Sequence, residues 1–146
     1  MLQSSSKHLL SHAFRVQLSD AYNGSAGAYS NQKKQSKDGF ELTFAVNVLA
    51  PYLLNGLLLE NIKKSTDENG VCNGKIVNVS SMLHAQASLD FTNLQQEKGY
   101  DAHAAYGLSK LCMVCLTYTL AEKLGSSPTV NCLHPGTVNT KMLTSG

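Results

Sequence analysis

Tyr106 and Lys110 stand four residues apart in the run Tyr106-Gly107-Leu108-Ser109-Lys110, which places a phenol and an ammonium on one face of a helix. A free tyrosine titrates near ~10 and is a poor base at neutral pH. A neighbouring cation favours the phenolate, and a place near a helix N-terminus adds to the effect. The expectation is a lowered Tyr106 able to act as general acid/base on a hydroxyl proton. Such pairs also arise by chance on helix surfaces, so the spacing counts only with its surroundings. Cys112-Met113-Val114-Cys115 lies mid-helix beside Leu111 and Leu116, with no second ligand pair and no helix N-terminus, and reads as core packing. His84, His103 and His134 lack metal-ligand spacing and read as solvated or loop residues, so no metal site is expected.

The elements that must position Tyr106 and Lys110 follow from pattern. Ala102 to Leu124 reads as a long helix stopped by Gly125 and Pro128. Lys75–Val79 and Thr129–Leu133 are β-branched runs; Ser80-Ser81 follows the first and His134-Pro135-Gly136-Thr137 the second. Phe40 to Lys64 reads as a buried helix, with Asp38 as its cap, Glu41 as capping-box partner, and lysines at the end that suit the dipole. Residues 82–101 read mostly as loop. Strand, helix, strand with crossovers of this length means parallel strands in an α/β sheet, whose ligands sit beyond the carboxyl ends of the strands. Ser80-Ser81 and the Pro135-Gly136 loop are therefore placed where a site belongs.

Composition narrows the rest. The chain has 146 residues, 42% hydrophobic, 15% charged, with net charge +2, a globular composition. Its basic residues form no stripe, so nucleic acid is not an expected partner. Four cysteines are too few for a disulfide scaffold, and no signal peptide opens the chain. The apolar stretch Phe44 to Leu59 is interrupted by Asn47, Pro51, Asn55 and Gly56, which favours a buried helix over a membrane span. Sequons at Asn23 and Asn78 are not expected to be used. Met1 to Lys37 is polar and aperiodic and is read as a divergent, poorly ordered segment, with 38–146 as the folded part.

The run Asp38-Gly39-Phe40-Glu41, Val46-Asn47, Ile76-Val77-Asn78-Val79-Ser80-Ser81, Tyr106-x-x-x-Lys110 and His134-Pro135-Gly136-Thr137-Val138-Asn139-Thr140 resembles the short-chain dehydrogenase/reductase family, in its retinol-dehydrogenase-like branch. The resemblance implies a partial doubly wound parallel sheet of Rossmann type and an NAD- or NADP-dependent oxidoreductase. It implies Tyr106 as acid/base, Lys110 as the residue that tunes it and holds the nicotinamide ribose, and Ser81 as the hydroxyl on the substrate oxygen. Asn47 matches the asparagine whose backbone carbonyl holds a relay water, and Pro135, Gly136, Val138 and Thr140 match the cofactor loop. The implied substrate is a hydrophobic alcohol or carbonyl. Pro51 departs from the branch; it lacks the N–H that would bond the Asn47 carbonyl, so a kink that leaves this carbonyl free is expected.

The family's opening turn, T-G-x-x-x-G-x-G, whose glycines admit the pyrophosphate to a helix N-terminus, is not among these residues, nor is the last strand. Gly24-Ser25-Ala26-Gly27 keeps half of the family's Asn-Asn-Ala-Gly, with Ala26 and Gly27 in the matching positions. A strand at Val16–Tyr22 is left with an open edge and the helix with an uncovered apolar face. Two expectations follow: part of a working dehydrogenase, or a catalytically silent piece that docks to another chain. The second predicts no NAD(P)H binding. The implied location is intracellular, in the cytoplasm or at the endoplasmic reticulum membrane, with any anchor in segments not among these residues.

Overall fold

The computed structural model describes the backbone of residues 21–24 and all of residues 27–136. Strand β1 (Ala21–Gly24) leads through a loop to helix α1 (Leu42–Lys63). Strand β2 (Lys75–Val79) follows, then a 3-10 turn (Met82–Gln86), helix α2 (Ala102–Leu124) and strand β3 (Thr129–Leu133). The strands form one parallel sheet in the order β1-β2-β3, with Ala21 beside Lys75 and Lys75 beside Thr129. Both crossovers step the same way across the sheet, so the right-handed rule puts α1 and α2 on one face. This is the expected α/β fold, a part of the doubly wound Rossmann type; among the described residues one face of the sheet is covered.

That face is apolar for a simple reason: alternate residues of a strand point the same way. Ile76 and Asn78 of β2 are fully buried, whereas Val77 and Val79 on the opposite side are half-buried. Leu54 of α1 and Ile76 form one core cluster, joined by Leu58, Leu59, Ile62, Leu120 and Val130. Phe44, Val48, Leu108 and Cys112 form a second, where the first half of α1 meets α2. Cys112 belongs to the core as expected; Cys115, three residues on, points to solvent. Asn78 is buried and its amide donates to Thr117 Oγ1 (2.9 Å), which closes that sequon to glycosylation in the folded chain.

Three expectations change. The cap of α1 is Glu41 rather than Asp38: its buried carboxylate accepts from Thr43 N–H (2.9 Å) and Phe44 N–H (2.7 Å), and its own N–H donates to Gln95 Oε1 (2.8 Å). Among the described residues ahead of 38, β1 pairs with β2 and Leu42 N–H donates to the Lys34 carbonyl (2.9 Å), so this part belongs to the fold. The strand near residue 22 is found at Ala21–Gly24, and residues 16–20 lie outside the described residues. At Pro51 the departure from α geometry begins upstream. Ala45–Leu49 is a π-helical turn in which Ala50 N–H reaches the Ala45 carbonyl, five residues back, and Pro51 then opens the regular segment Ala50–Lys63. The proline, having no N–H, tolerates this change of register where another residue would forfeit a hydrogen bond.

Candidate active site

The site forms at the carboxyl end of β2, where the chain leaves the sheet at Ser80 and Ser81. Ser80 Oγ, buried, donates to the Lys110 carbonyl (3.0 Å) and ties the end of β2 to the third turn of α2. Ser81 is the cap of the 3-10 turn, its Oγ accepting from Leu83 N–H (3.4 Å). Asp101 caps α2 by accepting from Ala104 N–H (2.7 Å), so the helix starts one turn before Tyr106. Gly107 is what lets α2 lie on the 3-10 turn: a Cβ there meets the Leu83 carbonyl oxygen at 3.0 Å.

Lys110 is 4% exposed. Its ammonium donates to the Val79 carbonyl (3.0 Å) and sits 5.5 Å from the Tyr106 ring centroid, within cation–π range. Tyr106 is half-buried, and the Ser81 side chain acts on its phenol. The expected lowering of the phenol is not what the geometry produces. Burial raises Tyr106 above the usual tyrosine value, and the Ser81 side chain only partly offsets it. The lysine is itself desolvated: burial lowers its ammonium, with the Cys132 side chain pulling the other way. With its charge held against Val79 and the ring face, Lys110 gives the phenolate little support.

Asn47, 1% exposed, sits in the π-helical turn and uses its whole carboxamide. Oδ1 accepts from Ala28 N–H (2.6 Å), and Nδ2 donates to the Ala28 carbonyl (2.9 Å) and to Ser109 Oγ (3.0 Å). Ser109 Oγ in turn donates to the Tyr106 carbonyl (2.7 Å). The side chain thus fastens the loop after β1 to the turn of α2 that carries Tyr106, a role the sequence did not announce. Tyr29, next to Ala28, was also missed. Its ring meets Tyr106 edge-on with centroids 5.7 Å apart, and its hydroxyl is hydrogen-bonded to His103 Nδ1 (3.1 Å).

The structure therefore brings Asn47, Ser81, Tyr106 and Lys110 into one connected cluster. Gly27 adjoins the Ala28 contact, and Pro135 and Gly136 follow β3 at the same end of the sheet, exposed, with Gly136 at φ 81°. Ala26, Val138 and Thr140 lie outside the described residues. No group of histidine, cysteine and carboxylate suited to a metal occurs among the described residues. His103 is a solvated residue, as expected, carried on α2, and His84 holds the Ser81 carbonyl through Nδ1.

A parallel sheet with a serine at the end of its middle strand, a Tyr-x-x-x-Lys helix and a buried asparagine defines a class, and the comparisons agree. The short chain dehydrogenase family matches residues 20–145, and the chain belongs to that family. It is 43% identical over 109 residues to mouse retinol dehydrogenase 13, covering 73% of this chain and 31% of that protein. It is 40% identical over 118 residues to human polyprenol dehydrogenase, covering 79% of this chain and 35% of that protein. The chain thus spans about a third of the length of these relatives. Among solved structures, a protein from Mycobacterium paratuberculosis superposes with TM-score 0.69 at 24% identity, over 99% of this chain and 50% of its own. A 4-hydroxyisoleucine dehydrogenase complexed with NADH superposes with TM-score 0.60 at 25% identity, over 84% of this chain and 45% of its own.

Proposed function

We propose that this chain carries the proton-transfer part of a nicotinamide-dependent oxidoreductase that interconverts a hydrophobic alcohol and its carbonyl. The observation that carries this is the joining of Ser81, Tyr106 and Lys110 at the carboxyl end of β2. Tyr106 gives a proton to the carbonyl oxygen in reduction and takes it from the hydroxyl in oxidation. Its raised phenol is fully protonated at neutral pH, the form that reduction needs. Ser81, whose side chain acts on the phenol, is the second group that holds the substrate oxygen. The retinol and polyprenol in the relatives' names support the substrate class.

The residues present fit the nicotinamide-ribose end of the cofactor. Among the described residues the Lys110 ammonium makes one hydrogen bond, to Val79, which leaves donors for ribose hydroxyls. Asn47, Gly27, Pro135 and Gly136 stand at the same strand ends, with Ala26, Val138 and Thr140 adjoining them in sequence. When bound, the cofactor supplies or accepts the hydride. NAD or NADP is the proposed cofactor, and the pyrophosphate has no glycine turn among these 146 residues.

A second reading is an interaction module. The outer helix faces support it, with Tyr52 64%, Leu57 58% and Tyr118 74% exposed. Calorimetric titration of the chain with NADH and with NADPH separates the two. Saturable binding, with turnover of a long-chain alcohol, is the result expected for the oxidoreductase; no binding of either cofactor is the result for the module.

A further inference from the structure

We propose that Tyr29 is a positioning residue for the Tyr106 phenol and that His103 is its tether, a proposal that rests on reading Tyr106 as the acid/base. Three rings from two parts of the chain meet here. Tyr29 lies edge-on to His103 (centroids 5.7 Å, interplanar angle 86°) and edge-on to Tyr106 (5.7 Å, 68°), the arrangement that aromatic quadrupoles prefer. His103 and Tyr106 are three residues apart on α2, hence neighbours on one helical face. The Tyr29 ring therefore spans two adjacent turns of the helix.

The ring is held at both ends. Its backbone follows Ala28, whose N–H and carbonyl are both gripped by the buried Asn47 side chain. Its hydroxyl meets His103 Nδ1 at 3.1 Å. That bond survives a change in the imidazole: a neutral Nδ1 accepts from the hydroxyl, and a protonated one donates to its oxygen. With backbone and hydroxyl both fixed, Tyr29 forms a wall that limits rotation of the Tyr106 ring and keeps its oxygen toward Ser81. It also keeps water from that ring.

The titratable and charged groups around Tyr106 are Lys110 and His103 on α2, Tyr29 itself, and Ser81, whose carbonyl holds His84. Cys132 on β3 acts on Lys110. All of these except Tyr29 persist when Tyr29 is changed, so loss of the wall reads directly on the phenol. Burial is the largest influence raising Tyr106, and removing the wall lowers its titration midpoint toward the ordinary value of ~10.

The test is the ultraviolet phenolate titration of the full chain. Tyr106 is isolated by subtracting the spectrum of the same chain carrying Tyr106→Phe. Tyr29→Leu lowers the midpoint, and Tyr29→Phe, which keeps the ring edge but loses the hydroxyl bond to His103, lowers it by less and by about as much as His103→Leu. His103→Leu moves it in the same direction as Tyr29→Leu, and His103→Gln, which keeps a hydrogen-bond partner, restores it. A midpoint unmoved by Tyr29→Leu in a chain with native circular dichroism overturns the proposal. Should Tyr29→Leu not fold, the exposed His103→Leu decides, and an unmoved midpoint there overturns it equally. In turnover, Tyr29→Leu lowers kcat on the order of 10- to 100-fold with KM little changed. The titration needs neither cofactor nor substrate. A shifted midpoint without turnover keeps the positioning role and sinks the oxidoreductase reading, and turnover with an unmoved midpoint does the reverse.

Discussion

Replacing Asn47 by alanine tests whether one buried carboxamide holds the site together. The substitution removes the bonds to Ala28 N–H, the Ala28 carbonyl and Ser109 Oγ, and each such bond contributes about 1 kcal/mol net. The contacts with the β1–α1 loop and with α2 are lost together, so the expected destabilisation is about 3 kcal/mol. Ala28 and Ser109 are left to find other partners at a place that water reaches poorly, which keeps the estimate from falling much below this. Asn47→Asp separates shape from hydrogen bonding. It keeps an acceptor for Ala28 N–H but turns a second oxygen toward the Ala28 carbonyl. Burial there raises the new carboxyl above its unfolded value near ~3.9, so its stabilising, protonated form prevails at low pH and is lost as pH rises through the folded value. Asn47→Asp is thus weaker at neutral pH than near pH ~4 relative to the parent. The assays are urea unfolding of the full chain and amide exchange at Ala28, which accelerates in Asn47→Ala. A loss under about 1 kcal/mol, or an unchanged Ala28 exchange rate, refutes the stapling role.

Other perturbations reach the same site by different routes. Gly107→Val forces side-chain carbons against the Leu83 carbonyl, since even a Cβ lies 3.0 Å from it; α2 and the 3-10 turn separate, and kcat falls while the far core cluster around Ile76 keeps its amide protection. Burial pushes the Cys112 thiol from 9.0 up to about 11, so its contribution to stability is complete below the unfolded value and disappears as pH rises through the folded one. Cys112→Ala therefore flattens the fall of unfolding free energy across that alkaline window, measured by urea melts at several pH values; an unchanged slope contradicts the assignment. Because the raised Tyr106 phenol must hold its proton to reduce a carbonyl, the reduction rate stays level through neutrality and falls only above pH ~10, while alcohol oxidation gains over the same rise. A reduction rate that declines near neutrality speaks against a raised phenol.

The regular elements were legible because their signals are local. Lys75–Val79 and Thr129–Leu133 are short β-branched runs, the first entered through Gly74 and the second followed by Pro135-Gly136, and the strands occupy those residues. Ala102–Leu124 ends where Gly125 takes φ 70°. The cap of α1 was misread because long-range bonds decide it. The competition between Asp38 and Glu41 is settled by Gln95 and Lys34, which lie outside any capping-box window. Pro51 signalled an irregular helix, but its π register, set by Ala45 and Ala50, was not visible in residue types.

The site was legible in part for the same reason. Tyr106 and Lys110 announce themselves by spacing, and Ser81 by its place after a strand. Tyr29 and His103 do not: they are 74 residues apart, and no periodicity joins a loop tyrosine to a helix histidine. A tyrosine just after the half-kept Ala26-Gly27 motif was the one available signal, since chain leaving a parallel strand at its carboxyl end lines the site. The tuning of Tyr106 was misjudged because the sequence shows a lysine one turn away and does not show where its ammonium points. Val79 and burial decide that.

Turnover of Tyr106→Phe beside the parent chain, with a long-chain alcohol and NAD or NADP, tests the central assignment most directly. The account predicts hydride transfer by the parent, a loss of at least about 100-fold in kcat on removing the one hydroxyl, and cofactor affinity unchanged by calorimetry. Equal turnover in the two chains, or a parent that neither binds cofactor nor turns over, contradicts it.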